Sequence, residues 1–288
     1  MIIKNNYSLI KYNTFHLNAV AKKFYIPENE KELVMLLKEI KNKNEKYYIL
    51  SGGSNILINE NKEYENIIYM KNVDSNLIYF GDGKFYIGAS SRIQEVINFV
   101  NQNNYGGFEE LYGLPALFGG VVYMNAGIGS RKNPLFNISE YIENVKVIYI
   151  PTGEIKYLKN EECLFEYRKS IFQQNDYIIL GAEINALPQE KEISKKRIEN
   201  RLIHCRENQE WGKGCFGSCF SNYSRLVLKL IQIFNFNTKG FVQASNNPNW
   251  LINDGNASFV EVKRFIKNAF FWHKLFRKEI ECEVRIWD

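Results

Sequence analysis

Apolar residues along this chain recur with two spacings, one near two and one between three and four, which separate strands from helices. From Glu30 to Asn42, Leu33, Leu36, Leu37 and Ile40 fall at i, i+3, i+4 and i+7, so an amphipathic helix is predicted there. Ile93, Val96, Ile97 and Val100 repeat that spacing, with Ser91 and Gln94 ahead of them in the pattern of a capping box. Short apolar runs between turn residues predict strands at Phe24 to Ile26, Lys46 to Leu50, Ile56 to Ile58, Ile67 to Met70, Leu77 to Phe80 and Phe85 to Gly88. Val145 to Ile150 and Glu154 to Leu158 flank Pro151-Thr152-Gly153 as a hairpin, and Tyr177 to Ile184 reads as a further strand. Strands outnumber helices and long α crossovers are few, which predicts an α+β fold rather than a doubly wound sheet. No G-x-G-x-x-G opens a helix after a strand, and a Rossmann domain is disfavoured.

The character changes after Glu190 to Glu207, a charged segment of helix-forming residues that marks a candidate domain boundary. Gly212 to Gly217 reads as a glycine-rich turn, and a helix follows around Arg225 to Phe234. Ser258 and Glu261 cap a last helix that turns Val262, Phe265, Ile266 and Ala269 inward. Apolar residues then alternate from Ile280 to Ile286 as in a strand. There is no internal repeat and no low-complexity linker.

One stretch fits neither spacing. Gly113 to Gly129 contains five glycines, interleaved with Leu114, Leu117, Phe118, Val121, Val122, Tyr123 and Met124. A chain this rich in glycine can press backbone N–H groups onto a ligand, and the amides at Gly119-Gly120 with Asn125 could donate to a flat polar ring or a phosphate. The plain alternative is a surface turn, but turns are usually polar, so an apolar glycine loop is expected to be buried. Ser51-Gly52-Gly53-Ser54-Asn55, between two strands, could cradle an anion or simply connect them.

With 288 residues the chain can form two domains and a sizeable core. Its net charge of +5 is spread along the sequence and permits anionic small molecules without favouring nucleic acid. Five cysteines form no C-x-x-C pair, and with three histidines they suggest no metal site. Reduced thiols, no signal-like N-terminus and no apolar run of ~18 residues point to a cytosolic protein without a membrane span.

Taken together, six motifs in order make the chain resemble the UDP-N-acetylenolpyruvoylglucosamine reductases. They are Asn13-Thr14-Phe15; Gly52-Gly53-Ser54-Asn55; the loop with Gly113-Leu114-Pro115, Gly119-Gly120 and Met124-Asn125-Ala126-Gly127; Tyr167-Arg168-Lys169-Ser170; Gly217-Ser218-Cys219-Phe220; and Glu283-Val284-Arg285. The resemblance implies a flavin domain of the vanillyl-alcohol-oxidase type over 1–187, in subdomains of about 1–70 and 71–187, and a substrate domain over 188–288. FAD would lie between those subdomains. Its contacts would come from Gly52, Gly53, Ser54, Asn55, Gly113, Pro115, Gly119, Gly120, Asn125, Ala126 and Gly127.

The resemblance also implies a reaction. NADPH would give a hydride to flavin N5, which would pass it to C3 of UDP-N-acetylglucosamine enolpyruvate, with a proton added at C2. Arg168 would hold the enolate carboxylate, Ser218 would supply the proton, and Glu283 would assist. Their plain alternatives are a surface salt bridge, a turn serine and an exposed strand carboxylate. Tyr167, Gln209, Asn222, Gln243 and Asn249 would contact substrate. The chain resembles the shorter type of the family, without the extra tyrosine-bearing loop, and a monomer is expected.

Several positions depart from the family pattern. Ala116 and Leu117 replace a glycine and a hydroxyl residue, and Ser221-Asn222-Tyr223 stands where the family has Lys-Asn-Pro. Glu210 replaces a proline, and Asn247 a common histidine. These departures keep two other readings open: a flavin oxidase of the same fold, and a binding protein that has lost flavin.

Overall fold

The computed structural model describes residues 1–131, 134–208, 213–234 and 239–288. The chain divides into two compact units. The first comprises Met1–Asn5, Lys23–Gly52 and Glu65–Glu207; the second comprises Asn6–Lys22, Gly53–Tyr64 and Asn208–Asp288. The charged segment after Glu190 is helical, Lys191–Asn208, and belongs to the first unit up to Glu207.

The first unit is built on a five-stranded antiparallel sheet in the order Glu154–Lys159, Ile142–Tyr149, Tyr177–Asn185, Lys84–Gly88, Leu77–Gly81. Alternation along the central strand Tyr177–Asn185, shifted by an irregularity opposite Lys146 and Val147, lets it serve two cores. Ile179, Ala182 and Ile184 pack with helix α2 (Ile93–Gln102) and the short helix α3 (Phe118–Tyr123). Ile178 and Leu180 pack instead with Leu33, Leu36, Leu37 and Ile40 of helix α1 (Glu30–Asn42). Asn29 starts α1 by accepting the Glu32 N–H at 3.0 Å. The strand after α1, Tyr47–Leu50, runs parallel to Glu63–Tyr69 and delivers the chain to Ser51 and Gly52.

The predicted capping box of α2 is displaced by one residue. Arg92 is the N-cap, and the Glu95 carboxylate accepts its N–H at 3.4 Å. Gln94 reaches away from the helix to the carbonyls of Tyr112 and Leu114, at 2.7 Å each.

The second unit holds a three-stranded antiparallel sheet, ordered Gly214–Ser218, Trp250–Asn253, Phe241–Gln243. The glycine-rich segment that reads as a turn is therefore, from Gly214 onward, a strand. Its pairing with Trp250–Asn253 and its buried Phe216 override the turn propensity of its glycines. Helices α5 (Arg225–Ile233) and α6 (Phe259–Leu275) close the core with Val227, Leu228, Ile231, Val262, Phe265, Ile266 and Ala269. Ser258 caps α6 by accepting the Glu261 N–H at 3.3 Å. Arg285–Trp287 pairs in parallel with Ile56–Ile58. Among the described residues no helix is long and apolar enough to cross a membrane, and no group of potential ligands could hold a metal ion.

His273 on α6 is fully buried and joins the two helices. Its Nδ1 lies 2.7 Å from the Ala269 carbonyl and its Nε2 accepts the Ser224 N–H at 3.0 Å, which fixes the neutral tautomer with the proton on Nδ1. Burial holds its pKa below the ordinary 6.5. The unfolded chain therefore takes up a proton before the folded one as pH falls through 6.5, so this group's contribution is present above 6.5 and is lost below it. The urea midpoint is expected to drop between about pH 7.5 and about pH 5.5, and His273→Gln to show a smaller drop. An equal drop in the variant would assign the pH dependence to other groups.

Candidate active site

The apolar glycine loop is held from behind. The 3-10 turn Glu109–Gly113 leads into it, and Glu109, fully buried, is the anchor. Its carboxylate accepts from Gln189 Nε2 at 2.6 Å, Ser194 Oγ at 2.9 Å and the Gly107 N–H at 3.1 Å, with Arg197 at 3.5 Å. Ser194 and Arg197 belong to helix α4 (Lys191–Asn208), which also brings Cys205 against Gly113. A Cβ at Gly113 would lie 2.7 Å from the Cys205 sulfur, so a larger residue there would displace the Cys205 side chain.

Beyond Pro115 the loop turns into α3, a helix too short for its spacing to stand out in the sequence. Leu117 is buried and provides no side-chain cap; its carbonyl accepts the N–H groups of Gly120 and Val121 at 2.9 and 3.2 Å. The Gly119 N–H donates to the Ala89 carbonyl at 2.9 Å. The amides of Gly119 and Gly120, expected to face a ligand, are thus engaged within the protein: Gly120 in the first turn of α3, Gly119 on Ala89.

The end of the loop is gripped by the Tyr167-Arg168-Lys169-Ser170 motif. Glu166 and Lys169 exchange backbone hydrogen bonds at 3.1 Å, a turn that places Arg168 at φ +60°. Ser170 Oγ donates to the Tyr123 carbonyl at 2.7 Å, and Tyr167 OH to the Gly129 carbonyl at 3.1 Å. Arg168 Nη2 donates to the Gly127 carbonyl at 2.6 Å, and Nη1 to the Asn125 carbonyl and Asn137 Oδ1 at 3.3 and 3.4 Å. The guanidinium also lies over the Tyr167 ring, 4.5 Å from its centroid. Asn125 answers in the other direction: at φ +42° and almost fully buried, it donates to the Glu166 carbonyl at 2.9 Å and accepts the Ser139 N–H at 3.1 Å. Ala126 exchanges its amide and carbonyl with Val121 and Ile138, and Gly127 pairs with Asn137. The fork of Arg168 and the amide of Asn125, both expected to meet ligands, hold the loop in shape.

Gly52 closes on the same loop. A Cβ there would stand 2.9 Å from the Pro115 carbonyl and 3.0 Å from Ala116 Cα. Beside it Ser51 Oγ is buried without a hydrogen-bond partner, and a Cβ on Gly120 would come within 3.0 Å of it. A buried hydroxyl left unpaired is costly in a protein-only environment. Beside close-packed glycine backbone it fits a polar ligand group such as those of FAD.

In the second unit Gly53 has φ +66° and presses on the Tyr12 carbonyl, and its own carbonyl accepts the Thr14 N–H at 3.0 Å. Thr14 Oγ1 is a second buried hydroxyl without a partner. Ser54 and Asn55 complete the turn. Asn55 ties it to the C-terminal motif: its Nδ2 donates to the Glu283 carbonyl at 3.2 Å, and its carbonyl accepts the Arg285 N–H at 3.0 Å. Glu283 N–H in turn donates to the Cys219 carbonyl at 2.8 Å, next to Ser218. Three motifs far apart in sequence are joined by these bonds.

Ser218 ends its strand opposite Trp250, whose Nε1–H donates to Ser218 Oγ at 3.2 Å. Trp250 is a positioning residue that the sequence did not reveal, because only the strand register brings it there. Trp250→Phe removes one neutral hydrogen bond of about 0.5–1.5 kcal/mol. Turnover is expected to fall roughly threefold to tenfold with little change in KM for NADPH; unchanged turnover would separate Trp250 from Ser218.

The expected substrate residues mostly serve the protein. Asn249 is buried and bridges the backbone of Phe220, accepting its N–H at 2.9 Å and donating to its carbonyl at 2.8 Å. Gln243 donates to the Pro248 carbonyl at 2.7 Å, and Asn222 to the Glu279 carboxylate at 3.0 Å. Gln209 lies outside the described residues. Gln94, Asn137 and Trp250 were not singled out as site residues by sequence reasoning, whereas Ser51 stood in the glycine turn read as a candidate anion cradle.

Comparisons with known proteins agree with this geometry. Residues 21–159 match the FAD binding domain family, a span that contains the Gly52 turn and the glycine loop. Over 289 residues the chain is 25% identical to the UDP-N-acetylenolpyruvoylglucosamine reductase of Halalkalibacterium halodurans, covering 99% of this chain and 94% of that protein. It is 28% identical to the protein of the same name from Borrelia garinii subsp. bavariensis over 273 residues, covering 91% of this chain and 85% of the relative. Its fold matches the crystal structure of the Thermus caldophilus reductase with a TM-score of 0.74 at 21% identity, covering 100% of this chain and 98% of that one. The chain is an FAD-binding oxidoreductase of α+β fold, similar over nearly its whole length to the UDP-N-acetylenolpyruvoylglucosamine reductases.

Proposed function

We propose that this chain reduces UDP-N-acetylglucosamine enolpyruvate to UDP-N-acetylmuramate with NADPH, in the cytosol and as a monomer. The observation that carries the reading is the hydrogen bond from Glu283 N–H to the Cys219 carbonyl, which joins the Ser218 and Glu283 motifs. FAD would be held by the Gly52 turn, the unpaired Ser51 hydroxyl and the glycine loop, and when bound it supplies the hydride chemistry between NADPH and the enolpyruvyl double bond.

As hydride reaches C3 of the substrate, negative charge builds at C2 and on the adjacent carboxylate. Arg168 contributes its positive charge to that carboxylate, its fork remaining on the loop carbonyls. Ser218 gives its proton to C2. A serine is a weak acid, and the Trp250 N–H at its oxygen favours the deprotonated form, which strengthens it. Glu283 assists that transfer from the neighbouring strand. Tyr167, Asn222, Gln243 and Asn249 shape the surroundings of substrate chiefly by holding backbone.

The test is substrate-dependent NADPH oxidation, with the product identified by mass. The expected product is heavier than the substrate by two hydrogens and, made in deuterium oxide, carries deuterium at C2. NADPH consumption that needs only oxygen and releases hydrogen peroxide would favour the oxidase reading instead.

A further inference from the structure

Ser218 is followed by Cys219, and Glu283 is preceded by Cys282. The two segments meet: Phe220, next to Cys219, stands opposite Cys282, and the N–H groups of Glu283 and Val284 are both directed at the Cys219 carbonyl, at 2.8 and 3.4 Å. Both side chains pack into the same hydrophobic core, Cys219 within it and Cys282 against it. They differ in access: Cys219 is fully buried, whereas Cys282 is partly exposed. They also differ in acidity. Burial raises the Cys219 thiol, while the neighbouring Cys219 thiol lowers that of Cys282. An accessible, more acidic thiol backed by a buried one is the arrangement of a peroxide-reactive cysteine and its resolving partner.

We propose that Cys219 and Cys282 form a thiol–disulfide modification site that reacts with hydrogen peroxide and switches off the chemistry of Ser218 and Glu283. The Cys282 thiolate attacks one peroxide oxygen; an S–O bond forms, the O–O bond breaks, and the departing hydroxide takes a proton to become water. The Cys219 sulfur then attacks the Cys282 sulfur, the S–S bond forms, the S–O bond breaks, and a second water leaves. Two thiols are oxidised by two electrons and one peroxide is reduced to two waters.

A disulfide requires Cβ atoms about 3.5–4.5 Å apart and a dihedral near ±90°. A bond of that geometry ties down the backbone one residue from Ser218 and one residue from Glu283. The thiol chemistry stands by itself; its effect on turnover rests on the proposed roles of those two residues.

The experiment treats the FAD-loaded protein with hydrogen peroxide, blocks remaining thiols, and reads peptide mass and NADPH-dependent turnover in parallel. The expected result is a Cys219–Cys282 cross-link and a loss of turnover by about 10²-fold or more, the worth of a general acid. Dithiothreitol restores both. Cys282→Ser forms no cross-link and keeps its turnover through the same treatment; Cys219→Ala, also unable to cross-link, serves if the first variant does not fold.

A Cys215–Cys219 cross-link, oxidation only to sulfinic or sulfonic acid, or no reaction would overturn the site. A Cys219–Cys282 cross-link with full turnover would overturn the switch. The cross-link is read without turnover, so failure of the reductase reading gives a different result from failure of the thiol site.

Discussion

Ser218→Ala is expected to lower turnover by about 10²–10⁴-fold, the range typical for loss of a general acid, while reduction of the bound flavin by NADPH keeps its rate. The split follows from where Ser218 sits. Its oxygen accepts the Trp250 indole N–H at 3.2 Å, and the carbonyl of the next residue, Cys219, accepts the Glu283 N–H. Neither bond touches the glycine loop of the first unit, which is proposed to carry the FAD contacts. Removing the hydroxyl therefore deletes the proton donor and leaves the flavin cradle intact. Rapid-mixing absorbance of the two half-reactions checks it. If both slowed equally, Ser218 would be holding the flavin or the fold rather than giving a proton. If neither slowed, the donor would be another group.

Gly52→Ala should weaken FAD binding by roughly 5-fold to 150-fold, corresponding to an overpacking cost of about 1–3 kcal/mol. The added Cβ meets backbone on every near side: the Pro115 carbonyl at 2.9 Å, Ala116 Cα at 3.0 Å and Leu117 N at 3.2 Å. No rotamer change relieves contacts with backbone, so the glycine loop must move away from Ser51 and Gly52. Gly81→Ala is the control. Its φ of +100° makes alanine more strained there than at Gly52, but nothing lies within 4 Å of its Cβ, so FAD affinity should be unchanged. Flavin fluorescence quenching measures both. Wild-type affinity in Gly52→Ala would mean that FAD does not depend on this cradle.

The sequence showed most of what is local. The buried faces of α1, α2 and α6 were legible because helical spacing repeats over several turns, and the Ser258 cap of α6 because capping is a contact within one turn. What it hid was set by partners distant in the chain. The glycines of Gly214–Ser218 suggest a turn, yet pairing with Trp250–Asn253 makes them a strand. Gln94 suggests a cap, yet two loop carbonyls take its amide.

The same division holds in the site. The motifs identified Arg168, Asn125, Ser218 and Glu283 by type and order. They gave no sign that Tyr167, Arg168 and Ser170 close on the carbonyls of Tyr123, Gly127 and Gly129, or that Asn125 answers them. Leu117, in place of a hydroxyl residue, is accommodated because its backbone carbonyl alone starts α3. Trp250 was invisible beforehand, since its link to Ser218 exists only through the strand register.

The most direct test of the central reading is an anaerobic single turnover. The purified protein, loaded with FAD, is reduced with NADPH until the yellow absorbance is lost and is then mixed with UDP-N-acetylglucosamine enolpyruvate without oxygen. Return of the oxidised flavin spectrum together with UDP-N-acetylmuramate is the predicted result. A reduced flavin that ignores this substrate and reoxidises only when oxygen is admitted, or a chain that takes up no FAD, would contradict it.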